Sequence, residues 1–260
     1  MKPTLKNLFA NIIFLIFPHL VFSADLKIEH IANAGVKVTS GGKVVLIDAL
    51  FGPHQRFNSL SDPNFDTLSQ LGADVAMATH IHDDHFGEER VSNFLKNNKN
   101  TLFIGTPMMI EKLDGKVAAR QLASGSLSGF DVKIFEHNNI NISALNFPHM
   151  DFDNDQAINF AYIIEINGWK VLHVGDGDVN ADVIKGLELA KENIDIALIH
   201  DLFPDRKENY KELIKQMNID KVAFVHMTDD KVASLSKWID KNLPNSSMLA
   251  TGHEEVVLKR

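Results

Sequence analysis

The sequence predicts an α/β (α+β) chain in which two sheets pack together with helices outside. Three observations carry that reading. Short Val- and Ile-rich segments recur between Gly, Asn and Pro breaks along most of the chain. In the second half these segments alternate with helical ones. The 260 residues, 45% hydrophobic and 23% charged, suffice for one large domain or a fused pair of similar halves.

The N-terminal stretch has a different character. Lys2 and Lys6 give it a positive start, and no acid precedes Asp25. An apolar run from Ile12 to Phe17 follows, flanked by Asn11 and Pro18, and Val21-Phe22-Ser23-Ala24 ends in small residues. That is the pattern of a secretory signal peptide over residues 1–23, and the run is short for a membrane span. The expectation is a periplasmic or secreted protein whose mature domain occupies residues 24–260. It has no stable membrane association after cleavage; an uncleaved anchor is the competing reading. His19 belongs to this segment.

Beyond it, Leu26 to Ile31, Val36 to Thr39 and Lys43 to Ile47 read as strands, with Ser40-Gly41-Gly42 as a turn. Asp74 to Ala78 is a short buried strand running into Thr79 and His80. A helix is expected over Glu88 to Leu95 and a strand over Thr101 to Ile104. Strands recur at Val132 to Phe135, Asn141 to Asn146, Ile158 to Ile166 and Lys170 to Val174, with Asn167-Gly168 as a hairpin turn. The remainder alternates: helix over Ala181 to Ala190, strand over Ile196 to Ile199, helix over Glu208 to Met217. A strand over Val222 to Val225, a helix over Lys231 to Asn242 and a strand over Val256 to Leu258 follow. No internal repeat, linker or low-complexity segment is visible.

Charge and composition narrow the function classes. The formal net charge is -8 with no basic stripe, which argues against nucleic acid as a partner. Removal of the signal takes away two lysines and no acid, so the mature domain is more acidic still. With no cysteine, an exported chain has no disulfide framework, and any metal ligand must be His, Asp or Glu. The twelve histidines are therefore the residues to examine.

The strongest chemical signal is Thr79-His80-Ile81-His82-Asp83-Asp84-His85-Phe86-Gly87. Four potential ligands fall within six positions, directly after a buried strand. His80 and His82, two apart on an extended backbone, project to one side and can grip one ion. Asp84 and His85 lie in the following turn and can face a second. This donor set suits zinc, manganese or iron. A polar loop with Asp84 capping the helix near Glu88 is the plainer reading, and the density of ligands weighs against it.

The spacing H-x-H-x-D-H resembles the signature of the metallo-β-lactamase superfamily, and the resemblance extends over nearly all of the mature chain. The stretch from Ile31-Ala32-Asn33-Ala34-Gly35 to Ile47-Asp48 resembles the family's opening hairpin. His149 in Phe147-Pro148-His149, Asp176 in Gly175-Asp176-Gly177-Asp178 and His226 in Phe224-Val225-His226 fall where the family places its remaining ligands. The resemblance implies a four-layer αββα sandwich with two divalent metal ions, zinc first and manganese or iron next, at the sandwich edge. It implies His80, His82 and His149 on one ion and Asp84, His85 and His226 on the other, with Asp176 bridging. Hydrolysis by a hydroxide held between the ions follows, with Asp84 as the catalytic residue that orients it and passes a proton to the leaving group.

Other residues keep open readings. Asp178 competes with Asp176, and His200 and His253 with His226. Gly175 and Gly177 fit a tight turn, since no phosphate-binding pattern follows. His200 and Asp201 are either beside the site or an exposed loop pair. His54 lies on a loop that this fold often sends over the site, and Asp48 fits a turn-stabilising or supporting role. His30, His137 and His173 read as structural. Asp151, Asp153 and Asp155 form an acidic cluster beside His149, read as solvated.

The resemblance to true zinc β-lactamases is weaker, because they generally lack a bridging aspartate here and one large subgroup uses cysteine. The ligand set resembles that of lactonases, glyoxalase-II-type thioesterases and phosphodiesterases. The layout is similar to the branch containing ascorbate-phosphate lactonase and the N-acyl-phosphatidylethanolamine phospholipase relatives. The expectation is an exported hydrolase of an ester, lactone or phosphodiester in a small molecule. The alternatives are a β-lactam-hydrolysing enzyme and a non-catalytic metal-binding protein of the same fold. Nucleic-acid-processing and flavodiiron relatives carry further domains for which this length leaves no room.

Overall fold

Leu26–Ala32 (β1), Gly35–Ser40 (β2) and Lys43–Ile47 (β3) form an antiparallel meander, as their alternating apolar pattern dictates. The computed structural model describes residues 24–150, 157–200, 207–252 and 254–260. The expected signal peptide, the cluster Asp151, Asp153 and Asp155, Asp201 and His253 lie outside the described residues.

Next come Asp62–Leu71 (α1), Val75–Met77 (β4), Glu88–Asn97 (α2), Leu102–Ile104 (β5), Pro107–Leu113 (α3) and Leu122–Ala123 (β6). Strands β3 to β6 pair in parallel, with α1, α2 and α3 lying between them in sequence. Val132–His137 (β7), Ile140–Asn146 (β8), Phe160–Ile166 (β9) and Trp169–His173 (β10) form a second antiparallel meander. Ala181–Gly186 (α4), Ile196–His200 (β11), Lys207–Gln216 (α5), Val222–Val225 (β12), Asp229–Asn242 (α6) and Ser247–Met248 (β13) continue it in parallel. Glu255–Leu258 (β14) returns to pair with β1.

The result is two seven-stranded sheets, β14-β1-β2-β3-β4-β5-β6 and β13-β12-β11-β10-β9-β8-β7. Each sheet has antiparallel pairings at one side and parallel pairings at the other, so the halves share a plan that no sequence repeat announces. Between the sheets, Ile28, Val36, Val45 and Ile47 pack with Ile142, Phe160, Tyr162 and Val171. The outer face of the first sheet (Leu46, Ala76, Phe103) is covered by Phe65, Phe94, Leu95 and Met109. The outer face of the second (Ile163, Leu172, Ala197) is covered by Val183, Ile214, Leu235 and Ile239. This is the four-layer αββα sandwich.

Helix α2 shows what sets its place. Val91, Phe94 and Leu95 fall on one stripe and are buried. Each such side chain contributes roughly 1.5–3 kcal/mol. Glu88 and Glu89 in its first turn and Lys96 in its last complement the helix dipole. Packing decides where the helix lies.

One element differs from expectation, and two helices fall in stretches to which the sequence assigned no element. The helix expected over Ala181 to Ala190 stops at Gly186; left-handed Glu188 (φ 52°) turns the chain into a short 3₁₀ segment, Leu189–Lys191, which buries Leu187 and Leu189 together. Helix α1 has a faint sequence signal because only Phe65 and Leu68 among its apolar residues are buried. Helix α3 is short, anchored by buried Met109 and Leu113 with Ile110 packed beside them.

Candidate metal centre

The carboxyl ends of β3, β4, β8, β10, β11 and β12 meet at one edge of the sandwich, and the chemistry-bearing residues follow them: Asp48, His80, His149, Asp176, His200 and His226. A cavity of about 510 Å³, lined by Gly42, Asp74 and Asn98, lies instead at the amino ends of β3 and β4, away from these groups.

After β4 the backbone does not continue as the extended segment expected for His80 to His82. It bends at residues 79–82, and the turn expected at Asp84 and His85 follows, with the His85 and Phe86 amides both donating to the His82 carbonyl at 3.0 and 2.8 Å. The rings converge all the same: His80 Nε2 is 2.8 Å from His82 Nδ1. His149 joins them, its ring centroid 4.8 Å from that of His80 and 4.9 Å from that of His82. His149 follows β8 and is held by an antiparallel bridge to Gly177.

The second group forms around carboxylates. His226 Nε2 is 3.1 Å from Asp84 Oδ2, and His85 Nε2 is 3.6 Å from the same oxygen. Asp176 lies between the groups: Oδ1 is 3.3 Å from His85 Nε2, while Oδ2 is 3.6 Å from His226 Nε2 and 3.9 Å from His80 Nε2. The three sets His80–His82–His149, His80–His85–Asp176 and Asp84–His85–His226 each keep one donor atom per residue within 4.8 Å of the others.

Hydrogen bonds behind the rings fix which nitrogen faces the cluster. His149 Nδ1 lies 2.7 Å from the Met150 carbonyl, which makes it the donor and leaves Nε2 as a lone pair. Thr79 Oγ1 donates to Asp48 Oδ2 and lies 3.1 Å from His80 Nδ1, so that His80 also presents Nε2. His85 Nδ1 is 2.9 Å from Asp48 Oδ2. Asp48 itself is fully buried, in a left-handed conformation (φ 49°), and receives the Thr79 amide at 2.7 Å. It orients rings without reaching the cluster.

Three more residues, which the sequence does not single out, build the walls. Asn33 Nδ2 donates to Asp84 Oδ2 (3.1 Å) and to the Asp84 carbonyl (3.2 Å). Buried Asn159 accepts from the Asp176 amide at 3.1 Å and donates to the carbonyls of Phe147 and Val174. Tyr162 donates to the Ala78 carbonyl at 2.8 Å, pinning the end of β4 to the second sheet. Their sequence signal is faint; Asn33 alone betrays itself, as an asparagine at a turn.

Electrostatics match this geometry. Burial opposes charge on His85, but Asp176, Asp48 and Asp84 outweigh it and push the imidazole up to about 10. Burial also opposes charge on Asp84 and Asp176, yet the neighbouring His85 and His226 hold both below the usual carboxylate range. His80 goes the other way: burial and the adjacent His85 push it well below the ordinary imidazole range. Among the buried polar atoms without a hydrogen-bond partner in the described residues are His85 Nε2, His149 Nε2 and Asp176 Oδ1, all facing the cluster. Orphaned ring nitrogens and a carboxylate oxygen in a buried site fit divalent cations.

A sequence profile described as a beta-lactamase superfamily domain matches residues 27–226. The chain belongs to the metallo-β-lactamase superfamily. Among solved structures, a possible metal-dependent hydrolase from Veillonella parvula superposes with a TM-score of 0.68 at 17% identity, covering 90% of this chain and 100% of its own. Igni18, a metallo hydrolase from Ignicoccus hospitalis, gives 0.64 at 17% identity, with 91% and 99% covered. An isothiocyanate hydrolase from Delia radicum gut bacteria gives 0.63 at 16% identity, with 90% and 100% covered. Curated protein sequences give no match. At these identities the superfamily neighbours establish the fold.

All seven ligand positions named from the sequence come together. Others do not. Asp178 accepts from Asn180 Nδ2 at 2.9 Å and lies outside the three ligand sets. His200 is no exposed loop residue: it is fully buried, 2.9 Å from the Gly177 carbonyl through Nε2, and burial lowers its pKa to about 4. His30 and His173 sit inside the sandwich on backbone partners, Asn33 and Ala34 respectively, as structural residues. His137 meets the Asn100 carbonyl at 3.0 Å. Gly175 does form a tight turn (φ 58°), and a Cβ there would lie 2.4 Å from Asn159 Oδ1. His54 lies at the rim, where its ring stacks on Phe57 at 5.2 Å, and Phe57 meets His226.

Proposed function

We propose that this protein is an exported hydrolase that holds two divalent metal ions and cleaves an ester, lactone or phosphodiester bond in a small molecule. The observation that carries the reading is the position of Asp176, whose two carboxylate oxygens lie within reach of His85 on one side and of His226 and His80 on the other. His80, His82 and His149 would hold one ion, Asp84, His85 and His226 the other, and Asp176 both. Zinc is the first choice and manganese or iron the next, since all accept imidazole with carboxylate. When bound, two such ions supply an activated water and a Lewis acid for the scissile carbonyl or phosphoryl group.

The chain's own residues do the rest. Asp84, kept ionised by His85 and His226, can take a proton from the attacking water at its carboxylate and return it to the leaving group. Asn33 holds that carboxylate in place through its hydrogen bond to Oδ2. Asp48 and Thr79 keep the His85 and His80 rings from turning. A carboxylate bridge and the absence of cysteine support this bond class over β-lactams. Export rests on Lys2, Lys6, the Ile12–Phe17 run and Ser23-Ala24.

The test is metal-dependent turnover by the mature chain on a phosphodiester, an acyl lactone, a thioester and a cephalosporin. The expected result is turnover on one of the first three, abolished in Asp84→Asn and His85→Ala. Cephalosporin turnover alone, or turnover that survives both substitutions, overturns the reading.

A further inference from the structure

Each of three histidines in the cluster has an anchor on the ring nitrogen turned away from it: His80 on Thr79, His85 on Asp48, His149 on the Met150 carbonyl. His226 differs. Its Nδ1 is buried and has no hydrogen-bond partner among the described residues. A ligating histidine without such an anchor is free to rotate about its side-chain bonds, which weakens its hold on a metal. Its backbone is also left-handed (φ 59°), a conformation that costs roughly 1–3 kcal/mol and persists only where the surroundings enforce it.

What holds the ring is packing. Phe57 stands against it with ring centroids 4.6 Å apart and planes inclined at 62°, an edge-to-face pair. On another side His85 stacks at 5.0 Å and 20°. Phe57 is in turn fixed from behind: His54 stacks on it at 5.2 Å and 19°. His54 Nδ1 accepts the backbone amides of both Arg56 and Phe57, each at 3.2 Å. Its Nε2 lies 3.5 Å from an oxygen of Asp83, within the ligand motif itself. The segment 54–57 is thus a clamp tied to the motif at one end and pressed on His226 at the other.

We infer that Phe57 is a positioning residue for His226, doing by aromatic packing what a hydrogen bond does for the other ligands, and that it sets the affinity of the Asp84–His85–His226 site. The inference rests on the two-ion reading above. Its effect is confined to one of the two ions, because Phe57 packs against His226 and His226 belongs to that set alone.

The test compares wild type with Phe57→Ala and Phe57→Tyr, using cobalt(II) as the probe ion. Binding is followed by chelator competition and by the visible absorption of each site as it fills. Two cobalt ions in wild type, with the second held about 10–100-fold more weakly in Phe57→Ala, the first unchanged and Phe57→Tyr restored, is the expected result. Equal affinity for both ions in Phe57→Ala overturns the inference and leaves the two-ion reading standing. A wild type that binds one ion or none overturns the two-ion reading instead. Thermal unfolding of the metal-free variants separates a general loss of structure from the site effect: equal weakening at both sites with a lowered Tm also counts against the positioning role.

Discussion

His85 Nδ1 and Asp48 Oδ2 lie 2.9 Å apart, both side chains wholly buried. The pair ties the central histidine of the cluster to the end of β3, and Thr79 closes the same carboxylate with two further hydrogen bonds. Asp48→Asn keeps the shape and removes the charge. It should weaken metal binding by about 10–100-fold. Isothermal titration of the metal-free variant checks this, and an unchanged affinity would show that Asp48 serves the turn alone.

The same pair sets a pH dependence in the metal-free protein. His85 is raised from 6.5 to about 10, so its contribution to stability is complete below about pH 6.5 and is lost as pH rises through 10. His200, lowered from 6.5 to about 4 by burial, contributes above about pH 6.5 and loses that contribution as pH falls towards 4. Stability should therefore peak near neutrality. Urea midpoints at acid, neutral and alkaline pH measure it; a midpoint that keeps rising into the alkaline range contradicts the role given to His85.

Metal binding must displace the proton on His85, since only the unprotonated ring ligates. Titrations at pH 7 in buffers of different ionisation enthalpy should report release of about one proton per chain from this group. Affinity should rise with pH up to the region of 10. Binding enthalpies that do not depend on the buffer would count against a protonated His85.

Gly175 shapes the turn that delivers Asp176. Its φ of 58° is left-handed, and a Cβ would fall 2.4 Å from Asn159 Oδ1 and 2.6 Å from Thr79 Cβ. Gly175→Ala should cost about 1–3 kcal/mol from backbone strain and a similar amount from overpacking. Chemical denaturation reads the first effect, and a lower metal content reads the displaced aspartate. A fully stable variant with full metal content contradicts the tight-turn account.

Much of the site is legible in the sequence because its candidate ligands are polar residues at the ends of apolar strands. His80, Asp176 and His226 each follow a run that could only be buried, so the chain order already brings them near one edge. Strand positions such as Lys43–Ile47 and Val222–Val225 follow from the same contrast. What the sequence conceals is long-range. Asn33 reaches Asp84 across 51 positions and Tyr162 reaches Ala78 across 84, and no local pattern distinguishes either from an ordinary turn or core residue. His200 keeps two readings in sequence, beside the site or in an exposed loop pair with Asp201, because it stands just past an apolar run, whereas its strand is buried to the last position. Helix α1 is hidden by its own composition, where Pro63, Asn64 and Asp66 crowd the first turns.

The most direct test of the central claim is the metal count of the reconstituted protein beside Asp176→Ala, by native mass spectrometry. The account predicts two ions per wild-type chain and no more than one tightly held ion in the variant, because both ligand sets lean on the same carboxylate. One ion in the wild type, or two equally tight ions in Asp176→Ala, would contradict it.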